Sequence, residues 1–410
     1  MTPEQIALSI LYIIVILVFA KVFGELAERF GQPSVLGELI AGVVLGGSVL
    51  GWISVNGAAP LSAEVSVLVF LAELGVILLL FEVGLESDLE EFLRVGPSAL
   101  MVAMIGVAGP FAVGYFVSIF FGLSLTVAVF IGATLTATSV GITARTLSDL
   151  GQLRTHAAKI ILGAAVIDDV LGLIILSVVS GFAATGVISY WQIGKTTIFA
   201  IAFLVGAILI GVPVAPHLLG IAKKLRTRGM LTISAFLFCM GLGYIAHELQ
   251  LAAIVGAFAA GLVLARTEDL AHIQERIKPV ADIFVPIFFV MLGVSVNVAV
   301  FNPFNAEARE TLALVGVLAA VGIAMKMFAG MGVLRRGVNR LVVGIGMIPR
   351  GEVGLIFASV GLSRKVITPG EYAAVVAVIV ITTFITPPLL KLVLSRAGKR
   401  VAAKQVAHGG

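Results

Sequence analysis

Charged residues are scarce in this chain of 410 residues. Asp, Glu, Lys and Arg make up 12% of it, whereas soluble globular proteins carry about 25%. The single cysteine, Cys239, lies in an apolar segment and excludes an intramolecular disulfide. Phosphate-binding loops, dinucleotide fingerprints, nucleophilic triads and metal-ligand spacings are also absent from the sequence. We therefore expect neither an enzyme nor a protein that needs a cofactor.

Apolar residues dominate the chain instead. They account for 60% of it, and the mean hydropathy is +1.14. Runs of about 20 apolar residues, separated by short polar breaks, are long enough to cross a bilayer as helices. About 13 such runs can be counted. The sequence therefore predicts an all-α, multi-pass membrane protein. The segment Met1 to Gln5 has no basic cluster, so we expect the first run to be a retained span rather than a cleaved signal.

The basic residues indicate an orientation in the membrane. If the C-terminus lies in the cytoplasm, only a few of the 27 Lys and Arg residues fall on the opposite side of the membrane. These few are Lys195, Arg309, Arg364 and Lys365. Cytoplasmic loops carry an excess of Lys and Arg, so we predict that the N-terminus lies outside and the C-terminus in the cytoplasm. Because the basic residues are spread over loops rather than gathered on one soluble face, nucleic acid is not an expected partner.

A weak internal repeat relates two parts of the chain. The segment from Gly37 in span two resembles the segment from Gly256 in span nine. In span three, Glu73 and Gly84 align without gaps on Asp282 and Gly293 of span ten. The related spans are seven apart, and an odd separation inverts the second copy in the membrane. This pattern predicts the inverted-topology repeats of secondary transporters.

Spans five and twelve are also seven spans apart. Both have interrupted centres. Span five is rich in hydroxyl groups from Thr134 to Thr143, and span twelve contains Pro349 between glycines, followed by Arg350 and Glu352. Proline removes a backbone donor, and glycine weakens the helix around it. Interrupted spans at matching positions of two repeats are typical of a binding site in the middle of the membrane. A pair of simple kinks between packed helices is the alternative.

Two adjacent carboxylates, Asp168 and Asp169, lie inside an apolar run long enough to cross a bilayer. An ionised Asp near the membrane centre costs about 2.5 to 3.5 kcal/mol even on a lenient insertion scale, so we interpret the pair as an ion or proton site. Lys326 lies inside span eleven, where it either extends towards the interface or pairs with one of these Asp residues. Glu73, near the middle of span three, is a lesser candidate because it could face another span or an aqueous funnel.

Together these motifs resemble a known family. The phrase from Thr136 to Thr143, the Asp168–Asp169 pair, Lys326 in span eleven, and Pro349 to Glu352 are similar to the bacterial cation:proton antiporter-2 family. The resemblance is closest to NapA-type sodium/proton antiporters, which are related to NhaA, and it extends over essentially the whole chain. It implies an NhaA/NapA-like fold of 13 helices with inverted repeats, in which spans five and twelve cross at their unwound centres.

The resemblance also implies a domain organisation. A dimerisation domain would comprise 1–94 and 229–308, and a mobile core that translocates the ion would comprise 95–189 and 309–396. A linker helix (190–228) would join them, and 397–410 would form a short cytoplasmic tail with no soluble regulatory domain. The implied assembly is a homodimer in membrane lipid that works by an elevator-like movement.

For function, the resemblance implies electrogenic exchange of protons for Na⁺ or Li⁺ in a bacterial cytoplasmic membrane. Asp169 would be the main cation ligand and proton carrier, and Asp168 would pair with Lys326. Further Na⁺ ligands would come from Asp168, Thr138 and Ser139, with Thr136, Pro349, Arg350, Glu352 and Glu73 in supporting roles. K⁺/H⁺ antiport stays open as an alternative, and a sodium-coupled solute symporter is a more distant one. No cofactor is expected beyond the transported ions.

Overall fold

The computed structural model describes residues 1–47, 49–54, 61–185, 190–225, 227, 229–249, 251–296 and 306–408. Within these ranges the chain forms fifteen α-helices. They are α1 (Pro3–Arg29), α2 (Ser34–Leu45), α3 (Ala63–Leu85), α4 (Leu89–Phe120), α5 (Leu125–Thr134), α6 (Val140–Asp149), α7 (His156–Thr185), α8 (Tyr190–Lys224), α9 (Met230–Glu248), α10 (Ala253–Leu264), α11 (Leu270–Val294), α12 (Ala306–Ala329), α13 (Arg340–Gly346), α14 (Glu352–Ser363) and α15 (Pro369–His408).

Among the described residues, eight helices are long and apolar enough to cross a membrane: α1, α3, α4, α8, α9, α11, α12 and α15. Shorter apolar helices lie in α2, α5, α10 and α14. Two apolar clusters form the interior. The larger is centred on α3, α10 and α11, and the smaller on α5, α12, α14 and the first half of α15. The prediction of an all-helical, multi-pass membrane protein is confirmed.

Glycines allow close approach at two helix crossings. Gly42 of α2 packs on Gly293 of α11, and a Cβ added at Gly42 would lie 2.7 Å from the Gly293 Cα. Likewise, a Cβ added at Gly84 of α3 would lie 2.9 Å from the Cα of Gly261 in α10. Both distances are shorter than real Cβ contacts, so only glycine fits at these crossings. The internal repeat relates α2 to α10 and α3 to α11. At both crossings, a helix of the first copy therefore packs on a helix of the second copy.

The interruptions predicted in spans five and twelve lie between α5 and α6 and between α13 and α14. The two breaks contact each other directly, because the Ser139 N–H donates to the Pro349 carbonyl at 2.7 Å. Pro349 has no N–H of its own, which prevents α13 from continuing. The breaks therefore bring four helix ends together in the interior.

Candidate functional site

The Asp168–Asp169 pair lies near the middle of α7, a helix of 30 residues. At 1.5 Å per residue, Asp168 is about 18 Å from the start of the helix. Asp168 is 0% exposed and Asp169 is 2% exposed. Adjacent side chains on a helix point about 100° apart, so the two carboxylates have different surroundings.

Asp168 faces the buried lysine of α12. The Lys326 ammonium donates to the Asp168 carboxylate at 3.0 Å, to the Thr138 hydroxyl at 2.7 Å and to the Thr136 carbonyl. Lys326 is itself 0% exposed. An ammonium has three donors, so these contacts use all of its hydrogen-bonding capacity. The structure thus places Lys326 against Asp168 rather than at the membrane interface.

Asp169 lies beside a cavity of about 230 Å³, and Asp168 is not among the residues that line it. The other lining residues are Leu176, His247, Leu251, Ala252, Val353 and Ile356. His247, Leu251 and Ala252 come from the end of α9 and the turn before α10, which no sequence signal connected with the site. Of the two neighbouring carboxylates, Asp168 therefore lies in an ion pair and Asp169 lies beside a cavity.

Carbonyls at the end of α13 and in the break after it are satisfied by groups just before α6 and in its first turn. A helix leaves its final carbonyls without partners inside the helix, and here three donors reach across the crossing. They are the Thr143 hydroxyl to Gly346 at 2.7 Å, the Thr138 hydroxyl to Met347 at 3.3 Å and the Ser139 N–H to Pro349 at 2.7 Å. All three donors are neutral.

The carbonyls that directly follow α5, in the break before α6, have cationic partners instead. The Arg350 guanidinium donates to the Leu135 carbonyl and, at 3.5 Å, to the Ala137 carbonyl, while Lys326 takes the Thr136 carbonyl between them. The C-terminal end of a helix carries a partial negative charge that favours cations. Two buried cations therefore stabilise the end of α5, whereas none of the described contacts brings a cation to the end of α13.

The hydroxyl residues of the break have distinct contacts. Thr136 offers its carbonyl to Lys326, and its own hydroxyl donates back to Ala133 at 2.7 Å. Thr138 is engaged on both sides, by Lys326 and by α13. Ser139 lies next to Gly351, where an added Cβ would be 2.6 Å from the Ser139 oxygen. Of the expected hydroxyl ligands, Thr138 is thus committed to other contacts.

One of the predicted supporting residues does not join the described contacts of the site. Glu73 is exposed on α3, and other residues line the cavity beside Asp169. The Glu352 side chain lies outside the part of the chain that the structure describes. A residue that the sequence reasoning missed is Thr383 of α15, whose hydroxyl donates to the Arg350 carbonyl. Its only sequence signal is a group of threonines in an apolar helix.

Comparison with known proteins gives concordant matches. The family profile described as "Sodium/hydrogen exchanger, transmembrane" matches residues 14–396. The chain is 41% identical to the high-affinity Na⁺/H⁺ antiporter NhaS3 of Synechocystis, over 98% of this chain and 93% of that protein. It is 35% identical to the Na⁺/H⁺-K⁺ antiporter GerN of Bacillus cereus, over 96% of this chain and 98% of that protein.

A solved structure of the sodium proton antiporter MjNhaP1 from Methanocaldococcus jannaschii has a similar fold. The TM-score is 0.66 at 18% sequence identity, over 94% of this chain and 96% of that chain.

Proposed function

The chain belongs to the sodium/hydrogen exchanger family, and from that membership we propose that it is a secondary-active Na⁺/H⁺ antiporter in which Asp169 binds the cation and the proton in turn. One observation carries this proposal. Asp169 lines a cavity while its neighbour Asp168 is held by Lys326. A carboxylate beside a cavity in the membrane interior can take up an ion, whereas the charge of Asp168 is already neutralised by Lys326.

In the proposed cycle, Na⁺ displaces the proton of Asp169 and draws further oxygen ligands from the helix breaks. Thr138 is held by Lys326 in the present state, so it becomes a ligand only when Lys326 moves away from it. Asp168 is freed by the same movement. Lys326 would then neutralise Asp168 when Na⁺ is absent and release it when Na⁺ is bound. This exchange of partners couples the two ions, and net charge moves when Lys326 also gives up its proton as it releases Asp168, so that two protons leave for each Na⁺ bound.

We also propose the architecture that the family resemblance implies. Counting each broken pair, α5–α6 and α13–α14, as one span gives about 13 spans for the fifteen helices. The reciprocal glycine crossings, α2 on α11 and α10 on α3, support inverted repeats. The dimerisation and core domains, the homodimer, the elevator-like movement and the external N-terminus are parts of the same proposal.

A second candidate cargo is K⁺. The reason to consider it is the 35% identity with GerN, whose name includes both Na⁺ and K⁺. The ligand types at the site do not distinguish the two ions, because carboxylate, hydroxyl and carbonyl oxygens accept either. A comparison of Na⁺, Li⁺ and K⁺ is therefore part of the test.

The test uses purified protein in liposomes that contain a pH-sensitive dye and an imposed proton gradient. Added Na⁺ should dissipate the gradient, and Asp169→Asn should abolish that response because the replaced carboxylate is the carrier. Asp269→Asn makes the same chemical change at a pair with Lys223 near the membrane surface and should exchange normally. Full exchange by Asp169→Asn would reject the assignment of the carrier. Repeating the assay with an imposed voltage tests whether exchange is electrogenic.

A further inference from the structure

A polar cluster joins the start of α2 to the end of α6, and we name it the α2–α6 latch. It consists of Ser34, Glu38, Arg145 and Asp149. Arg145 lies 3.1 Å from the Asp149 carboxylate and 3.6 Å from the Glu38 carboxylate. Asp149 accepts from the Ser34 hydroxyl at 2.9 Å, and Arg145 reaches the same hydroxyl at 3.5 Å. Each member therefore contacts at least one other across or along the two helices.

The latch provides a hydrogen-bond acceptor for the first turn of α2. Pro33 stands at the cap position and provides no side-chain cap, so the first N–H groups of α2 need another acceptor. Asp149 supplies it from α6, since the Val35 N–H donates to the Asp149 carboxylate at 3.3 Å. A carboxylate at the N-terminus of a helix also interacts favourably with the helix dipole. Glu38 is only 2% exposed, and Arg145 is its ion-pair partner.

The direction in which α2 runs shows at which end of the molecule the latch lies. α2 and α11 run side by side in the same direction, because Gly42 and Gly46 meet Gly293 and Val294 in turn. Both helices therefore begin at the same end of the molecule. Ser34 and the rest of the latch lie at that end.

The cavity beside Asp169 lies towards the opposite end. Lys223, at the end of α8, pairs at 2.8 Å with Asp269, which directly precedes α11. The end of α8, and with it the start of α9, is therefore at the latch end. α9 runs from there to His247, which lines the cavity. The closed latch and the open cavity are thus on opposite sides of the crossing.

We propose that Arg145 is a positioning residue for ion exchange, which holds α6 against α2 and so keeps the exchange site turned towards the His247 end. This inference rests on the proposed function. Ser139, which directly precedes α6, and Thr143 within it bond to the second helix break, so a shift of α6 shifts the site with it.

The contrast between the two contacts of α2 supports this role. α2 packs on α11 through backbone contacts at glycines, with no room for a side chain between the two helices. Its contact with α6 through the latch consists of ion pairs and hydrogen bonds, which can separate and become hydrated. The latch opens when Asp169 is turned to the other end of the molecule and closes when it returns.

The experiment measures whether the site is accessible from the His247 end. Ala252, in the cavity lining, is replaced by cysteine in a Cys239→Ser background, and its reaction with a membrane-impermeant maleimide is followed in purified full-length protein. Glu38→Gln with Asp149→Asn removes the anionic side of the latch while keeping side-chain shape. Labelling of Ala252→Cys should then slow by at least about 5-fold, the lower end of coupling between two states. The apparent KM for Na⁺ should change more than kcat.

Controls separate positioning from simple stabilisation. Arg29→Gln breaks an exposed pair with Glu25 and should leave labelling unchanged. Arg145→Lys keeps one charge and should restore part of the labelling rate that Arg145→Gln loses. A latch that only stabilises the fold would lower the melting temperature without altering labelling, and that result overturns the proposal. Because labelling needs no transport, failure of Na⁺/H⁺ exchange in the unmodified protein would reject the proposed function separately.

Discussion

Removal of the Lys326 ammonium should destabilise the protein because it leaves the Asp168 carboxylate buried without its partner. Asp168 is 0% exposed, and Lys326 reaches it at 3.0 Å. Breaking a buried ion pair from one side costs about 3–5 kcal/mol. Lys326→Met also deprives Thr136 and Thr138 of a hydrogen bond. We expect a loss of stability of at least about 3 kcal/mol for this single variant.

The double variant should recover much of that loss. Asp168→Asn combined with Lys326→Met removes both charges, and replacing a buried pair by neutral groups is often close to neutral. A double-mutant cycle should therefore give a coupling energy of at least about 2 kcal/mol, near the upper part of the range for residues in contact.

Unfolding can be followed with the thiol of the only cysteine. Cys239 is 0% exposed, so it reacts with a fluorogenic maleimide only when the helices around it separate. Titration with a denaturing detergent at fixed lipid content then yields the free energy of unfolding for each variant. The matched control is the cycle of Lys223→Gln and Asp269→Asn, whose lysine is about half exposed. Exposed pairs contribute at most about 1 kcal/mol.

If the double variant lost as much stability as the two single variants Asp168→Asn and Lys326→Met together, the reasoning would be refuted, because the two side chains would then not interact. A coupling no larger than that of the surface pair would have the same meaning.

Two further predictions concern packing and the crossing of the helix breaks. Gly84→Ala should destabilise by about 1–3 kcal/mol, because its Cβ would lie 2.4 Å from a backbone oxygen of α10. Gly206→Ala, which meets nothing within 4 Å, should be neutral or stabilising in the same detergent titration. Thr143→Val should cost about 1–3 kcal/mol, because the buried Gly346 carbonyl loses its donor. Thr134→Val, whose hydroxyl bonds only within its own helix, should cost less, and equal losses would argue against the crossing contact.

Local composition made much of the arrangement predictable. Charges inside apolar runs identify Asp168, Asp169 and Lys326 as buried groups, because such residues are too costly in a membrane without a role. Proline, glycine and clustered hydroxyls locate the two breaks by the same kind of local argument. The family resemblance then adds which of these groups belong together.

The partners of each group could not be predicted in the same way. The residue pattern alone leaves open whether Lys326 pairs with Asp168 or Asp169, since the answer depends on how α7 is rotated against α12, and only the family resemblance implies Asp168. Thr138 was expected to bind the transported ion, yet its hydroxyl contacts Lys326 and α13 in this state, and its role as a ligand stays a prediction. The Glu38–Arg145 pair joins helices with no shared motif. Such contacts arise from tertiary packing.

The capping of α5 by residues of later helices has a consequence for biosynthesis. Arg350 follows Leu135 by 215 positions in the chain, a delay of about 10–40 s at ordinary translation rates. Until then α5, with 10 residues, covers only about 15 Å and ends in carbonyls that have no cation beside them. The first half of the nascent chain is therefore made with an incomplete segment, whose cationic partners exist only after the ribosome has made Lys326 and Arg350.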